Sequence, residues 1–462
     1  MSQLDAIALS EGVKQRLIDF ALDDNFVRDQ NLTDICRTIW SGRPETGGLL
    51  SDLWIEGAFP AKAVEASLAT LVKQGIFDAQ LCHHLDQRNV IPRQRLLYTH
   101  QYETIVKAYA TRLNKAKPAL VVTAGTGAGK TESFLLPILN ALFQEENEGK
   151  KGVKCIILYP MNALVNDQVE RLYNWLQGQS KITLFHFTSE TPEDKRRANS
   201  DGIPEWDVCR MRTRQQARGL ETHDGHVVDL TRSPRGPVPD ILITNYSMLE
   251  YMLCRPQDAI FFGESLRAIV LDEAHLYTGT LAAEITLLLR RLLERCTVTS
   301  EQILHIATSA TIGTGAAGEL EQFASTLFTK EKSLVKVIQG QATRMNYPKA
   351  QSPEVPPTAT EIAQRQWLDC PTITLDAYGS AHFAVNAKSC QTLTKNLPLL
   401  VDKQAARIAE QRSGDKPAML LHAALEYSPV LQQIENILWE RKRISLHNLT
   451  ELLWKTIDTP AL

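Results

Sequence analysis

The sequence predicts a doubly wound α/β domain flanked by two helical regions, on three observations. Between residues 91 and 340, short apolar runs rich in β-branched residues alternate with helical stretches. A glycine-rich segment, AGTGAGKT (124–131), follows the first of these runs. Before residue 90, and again near the end of the chain, apolar residues recur at helical spacing instead.

Residues 1–90 read as an N-terminal helical domain. GVKQRLIDFAL, NLTDICRTIW and AKAVEASLATLVKQGIF carry the helical pattern, and Gly75 stands where the third would be capped. Three short helices in this order resemble a winged-helix arrangement, a form that often binds DNA; a helical scaffold packed on the next domain fits the same pattern. In the central region the strands are ALVVTA, VKCIILYP, ITLFHF, DILITN, LRAIVLDEAH and QILHIATSAT. Runs this continuously apolar imply a parallel sheet covered on both faces, whose ligands bind beyond the carboxyl ends of the strands. The polar residues after each run fall at those ends. Residues 341–371 form a linker around the proline-rich YPKAQSPEVPPTAT, and 372–462 a helical extension with KQAARIAEQR, VLQQIENILWERKR and SLHNLTELLWK.

Composition sets the outer limits. A chain of 462 residues suggests two to four domains, and 44% hydrophobic with 22% charged residues is ordinary for a globular protein. The net charge of -3 means that any surface for nucleic acid is a local patch. Eight cysteines form no C-x-x-C pair, so they read as reduced thiols of a cytoplasmic protein rather than as disulfides or a zinc site. The first residues lack a basic-then-apolar leader, and no run of 18 apolar residues offers a membrane span.

The chemistry concentrates in two segments. In AGTGAGKT, the glycines Gly125, Gly127 and Gly129 let backbone N–H groups of the loop, with those of Thr126 and Ala128, approach phosphates. The helix that follows adds the positive end of its dipole. Lys130 is placed to reach the outer phosphates of ATP and the Thr131 hydroxyl to ligate Mg²⁺. The usual first glycine is Ala124 here, which has only to avoid crowding the loop. The second segment, AIVLDEAH (268–275), ends a buried strand in two carboxylates. Asp272 would hold the Mg²⁺ and Glu273 would orient and deprotonate the attacking water; phosphoryl transfer needs little more than such positioning and charge neutralisation.

AGTGAGKT, DEAH and TSAT (308–311), in this order and spacing, resemble superfamily 2 DEAD/DEAH-box helicases. LYPMNALVNDQ (158–168) and DILITNYSMLEYML (240–253) resemble elements that touch the nucleic-acid backbone in that family, and LYTHQ (97–101) its upstream glutamine motif. The likeness covers about 91–312 and points toward the large bacterial helicases of anti-phage defence systems such as Druantia or DISARM. It implies a RecA-like fold and roles for further residues. Gln101 would read the adenine edge, Ser309 and Thr311 would couple the nucleotide to domain closure, and His275 would assist them. Pro160, Asn162, Thr244 and Asn245 would lie along the single strand; many relatives carry Arg where Asn162 stands, so that contact is weaker or made otherwise.

Superfamily 2 helicases have two RecA-like domains, and nothing in 313–462 resembles the arginine-bearing Q-x-x-G-R-x-G-R segment of the second. The chain is therefore expected to meet a second half, in a longer polypeptide or a partner subunit. The expected activity is an ATP-dependent DNA helicase or translocase acting on a single strand or tailed duplex, alone slow to hydrolyse ATP. An RNA helicase, or an ATP-switched clamp that recruits a nuclease or another defence partner, are the alternatives. The insertion KRRANSDGIPEWDVCRMRTRQQAR (195–218), with seven basic and three acidic residues, reads equally as a phosphate-contacting stretch or a solvated loop. Its Trp206 could stack on a base or pack internally.

Overall fold

A computed structural model describes residues 6–25, 28–42, 46–125, 127–145, 152–232, 236–309, 317–344, 372–375, 381–384 and 429–454. They divide into two units, one of residues 60–343 and one of 1–59 with 344–462. No helix among the described residues is long and apolar enough to cross a membrane.

The larger unit is built on a seven-stranded sheet in which every pairing is parallel. Its strands are β1 (Ala119–Thr123), β2 (Cys155–Tyr159), β3 (Leu184–Phe187), β4 (Ile241–Asn245), β5 (Ala268–Leu271), β6 (Leu304–Ser309) and β7 (Val335–Gln339), in the spatial order β7-β1-β6-β5-β2-β4-β3. The principal helices are α1 (Thr99–Ala110), α2 (Lys130–Gln144), α3 (Asn162–Leu176), α4 (Tyr246–Cys254), α5 (Gly279–Cys296) and α6 (Ala317–Phe328). All six apolar runs read from the sequence contain these strands. β7 is the one the sequence hid: in VKVIQ, at the edge of the sheet, only Val335 and Ile338 are buried, and Lys336 and Gln339 are exposed.

Alternation along each strand feeds two cores. Leu120, Val122, Ile157, Ile243 and Val270 point to one face with Phe134, Leu139, Val165 and Val169 of α2 and α3. Val121, Ile156, Leu158, Ile269 and Leu271 point to the other with Leu249, Ile285, Leu289 and Phe328 of α4, α5 and α6. Burying each such side chain contributes about 1.5–3 kcal/mol, and the doubly wound layering follows from having two faces to cover.

The segment read as a third N-terminal helix divides in two. Ala63–Ser67 is a strand, antiparallel to Leu96–Tyr98, and the helix runs only from Leu68 to Lys73. Ser67 starts it through a capping box with Thr70, and Gly75 at φ +70 lies just past its end. Leu68, Leu71, Leu81 and Leu85 are fully buried in the same core as α2 and α3, so residues 60–90 fold with the parallel sheet.

The smaller unit has a different construction. Trp54–Glu56 pairs antiparallel with Arg443–Ser445, which joins the helices Pro429–Arg441 and Leu446–Trp454. Leu438, Ile444, Leu449 and Leu453 form its core, with Ile55 and Phe59 against it. The helices Ala6–Asp24 and Gln30–Ser41 precede it, the second capped by Asp29.

Candidate functional site

The loop after β1 is shaped from beneath. Gly127 and Gly129 adopt left-handed φ of 74° and 72°, which a side chain would oppose. A Cβ on Gly129 would also lie 2.4 Å from the Gln101 amide nitrogen. Gln101 and its neighbour His100, both buried on α1, hold the loop's carbonyls: Gln101 Nε2 donates to Gly129 O at 3.1 Å and His100 Nε2 to Ala128 O at 2.8 Å. Within the loop, Ala128 N donates to Gly125 O at 3.2 Å. Gln101, expected at the adenine edge, is thus placed under the loop, its Oε1 accepting from Tyr98 N at 3.1 Å. Ala124 is buried, and Gly340 after β7 makes room for it; a Cβ on Gly340 would lie 2.8 Å from that of Ala124.

Two strands away, β5 delivers its acids to the same end. Lys130, first residue of α2, has Nζ 3.4 Å from Glu273 Oε1. His275 Nδ1 lies 3.3 Å from the other oxygen of that carboxylate. Glu273 occupies the left-handed region, φ 51° and ψ 44°, a strained conformation for a residue with a side chain. Asp272 is buried and its Oδ1 accepts from Glu273 N at 3.1 Å and from the Thr308 hydroxyl. Burial pushes the Asp272 carboxyl up, and the Thr308 hydrogen bond opposes that rise. Thr131 is half-buried in the first turn of α2. The sequence brought Lys130, Asp272, Glu273 and His275 into view; Thr308 and His100 lie inside TSAT and LYTHQ, but neither is given a role by the sequence. Ser309 is buried at the end of β6; its carbonyl accepts from Ala124 N at 3.3 Å, and its hydroxyl has no hydrogen-bond partner among the described residues. Thr126 and Thr311 lie outside the described residues.

The nucleic-acid candidates gather at the other half of the sheet, after β2 and β4. Asn245 Nδ2 donates to Asn162 Oδ1 at 2.5 Å, and Asn162 Nδ2 to Ser189 Oγ at 3.4 Å. Asn245 also caps α4 through Met248 N at 2.8 Å. Pro160 is half-buried and Met161 exposed beside them. Thr244 stands apart: it is wholly buried, and its hydroxyl donates to Phe187 O at 2.6 Å. Its side chain therefore ties β4 to β3 and has no surface for a strand.

The basic insertion is largely internal. Arg210, Arg212 and Arg218 are buried. Arg218 Nε donates to the fully buried Asp258 at 2.8 Å and its guanidinium also pairs with Glu193. Arg210 stacks 3.4 Å from the Trp206 ring centre, so Trp206 is engaged by packing within the insertion.

Residues 98–210 match the family model for DEAD/DEAH box helicases. Over 335 residues the chain is 32% identical to the Druantia protein DruE of Escherichia coli (strain UMEA 4076-1), covering 55% of this chain and 18% of that protein. Over 217 residues it is 28% identical to the uncharacterized ATP-dependent helicase YprA of Bacillus subtilis (strain 168), covering 47% and 23%. The chain thus spans about a fifth of the length of these curated relatives. The crystal structure of the DUF1998 helicase MrfA bound to DNA and AMPPNP is similar over 62% of this chain and 31% of that one, at 22% identity and a TM-score of 0.40. With its glycine-rich loop and paired carboxylates at the carboxyl edge of a parallel RecA-like sheet, the chain is similar to the DEAD/DEAH box helicases over residues 98–210.

Proposed function

We propose that this chain is the first motor half of an ATP-dependent DNA helicase or translocase that serves anti-phage defence or DNA processing. The observation that carries the proposal is the convergence of Lys130, Asp272 and Glu273, from two separate strand ends, at one edge of the sheet. The likeness to DruE supports the defence setting.

The donor set fits a magnesium ion: the Thr131 hydroxyl and the Asp272 carboxylate are hard oxygen ligands, and the protein hydrogen bonds to Asp272 fall on Oδ1. A magnesium ion held there would neutralise charge on the phosphates. Lys130 binds the outer phosphates. Glu273, oriented by Lys130 and His275, takes the proton of the attacking water. The loop N–H groups position the nucleotide, with His100 and Gln101 holding the loop in shape. At the other half of the edge, Asn162 and Asn245 bind the backbone of a single strand with Pro160 beside them. Ser309 and Thr311 pass the nucleotide state to a second RecA-like domain, in the same longer polypeptide or a partner subunit.

A transition-state arginine from such a second domain contributes about 10³–10⁵ in rate in related sites. The isolated chain should therefore bind Mg-ATP, hydrolyse it slowly and fail to displace a strand from a tailed duplex. An ATPase assay with matched DNA and RNA oligonucleotides, beside strand displacement, tests this. Stimulation by RNA alone would replace DNA as the substrate. Robust unwinding by this chain, absent in Lys130→Ala, would overturn the half-motor assignment.

A further inference from the structure

Between the two halves of the catalytic pair sits a residue that the proposed hydrolysis does not yet use. β5 and β6 pair in parallel with Leu271 opposite Ala307, so the next residues, Asp272 and Thr308, meet just beyond the paired register. Thr308 is wholly buried. Its Oγ1 donates to Asp272 Oδ1 and accepts from Glu273 N at 3.2 Å. The direction of the Glu273 bond is forced by chemistry. A backbone N–H can only donate, so Thr308 Oγ1 is the acceptor of the Glu273 bond. The single hydroxyl proton of Thr308 points at Asp272, which leaves its lone pairs for the Glu273 amide.

We propose that Thr308 is a positioning residue for hydrolysis, its hydroxyl fixing the metal-holding Asp272 and the water-activating Glu273 as one unit. Two consequences follow from the geometry. The first concerns Asp272. Its Oδ1 receives two donors, the Thr308 hydroxyl and Glu273 N, and these fix where the carboxylate stands. The second concerns Glu273. Its left-handed backbone persists only where the surroundings over-determine it, and its N–H is held by two acceptors, Asp272 Oδ1 and Thr308 Oγ1. In that conformation its carboxylate stands between Lys130 and His275. Without the hydroxyl, one anchor of Asp272 and one of Glu273 disappear together. If Thr308 served only as a β-branched filler of a buried strand, its methyl would matter and its hydroxyl would not.

The proposal rests on the ATP-hydrolysis assignment, and the test separates the two. Thr308→Val keeps shape and removes the hydroxyl; Thr308→Ser keeps the hydroxyl and removes the methyl. The readouts are the single-turnover hydrolysis rate of the whole chain and the Mg²⁺ concentration that half-maximally tightens binding of a fluorescent ATP analogue. Thr308→Val is expected to slow turnover about tenfold or more and raise the Mg²⁺ midpoint about threefold, with analogue affinity in EDTA unchanged. Thr308→Ser is expected to restore both. Should the valine variant fail to fold, Thr308→Ala takes its place against serine in the same two measurements. A hydroxyl-free variant that matches the parent in rate and Mg²⁺ midpoint overturns the proposal, as does a serine variant as impaired as valine. Absence of hydrolysis by the parent chain would overturn the enzymatic assignment instead, and the Mg²⁺ midpoint would still decide the role of Thr308.

Discussion

The two ends of the parallel sheet hold ionisable groups in opposite ways. At the amino ends, the charges are spent on the fold. Lys330 is buried and donates to the carbonyls of Lys117 and Ile303. Lys154 pairs with Asp240 at 3.1 Å, and Arg267 with Glu145 at 3.2 Å. A cavity of about 790 Å³ opens beside them, lined by Tyr109, Arg112, Leu142 and Arg267 among others. At the carboxyl ends, Lys130 and Glu273 approach only to 3.4 Å, and their partners lie on different elements. At the first end Lys330 closes on backbone carbonyls and Lys154 and Arg267 on acidic side chains; at the second, Lys130 and Glu273 are aligned but stand farther apart.

Replacing groups at each end sharpens that contrast. The largest effect is expected for Glu273→Gln, which keeps the size of the side chain and removes its base. Turnover should fall by ~10²–10⁴ while the affinity for an ATP analogue stays within about twofold. Equal losses in turnover and affinity would show that Glu273 serves binding rather than proton transfer. Lys130→Ala should weaken ATP binding by at least ~tenfold, about 1.4 kcal/mol, in an equilibrium titration; unchanged affinity would remove the loop from the nucleotide site.

At the opposite end the expected effect is on stability and on its pH dependence. Burial lowers the Lys330 amine to about 7, far below the usual lysine value. Between about pH 7 and 10 the folded chain has lost that proton and the unfolded chain still holds it. Unfolding then takes up a proton, so Lys330 makes stability rise with pH through this window. Lys330→Met should flatten that rise in denaturant titrations at pH 7 and 9.5, by an amount on the order of 1 kcal/mol, and leave ATP binding unchanged. A parallel loss of ATP binding would mean that the two ends are not independent.

How much of this was legible follows from what each residue has to do. Six strands could be read because both of their faces are buried, which writes an unbroken apolar run such as CIILY. The edge strand VKVIQ could not, since the exposed Lys336 interrupts it. The loop after β1 was legible through glycines, two of which adopt the left-handed φ that only glycine tolerates well, and DEAH through its place at a strand end. Thr308 and His100 were not, because their roles are set by a neighbouring strand or loop distant in the chain. Charge proved the poorest guide: the arginines at 210, 212 and 218 look like a surface patch in the sequence, and the fold buries them. Likewise Thr244 reads as one of a polar pair with Asn245, but the strand's alternation turns it inward.

The strand order has a consequence for synthesis. β1 comes first in the chain among the seven, yet its two neighbours are β6 and β7, the last two. While the ribosome delivers the intervening residues, Ala119–Thr123 has neither of its final pairing partners and its backbone edges are open on both sides. Such delayed, non-local pairing slows folding and exposes an aggregation-prone segment. The same order means that the glycine-rich loop after β1 gains its supporting neighbour at Gly340 only when β7 has been added. A nascent chain stalled before Val335 would carry every residue of AGTGAGKT and lack the strand that completes its frame.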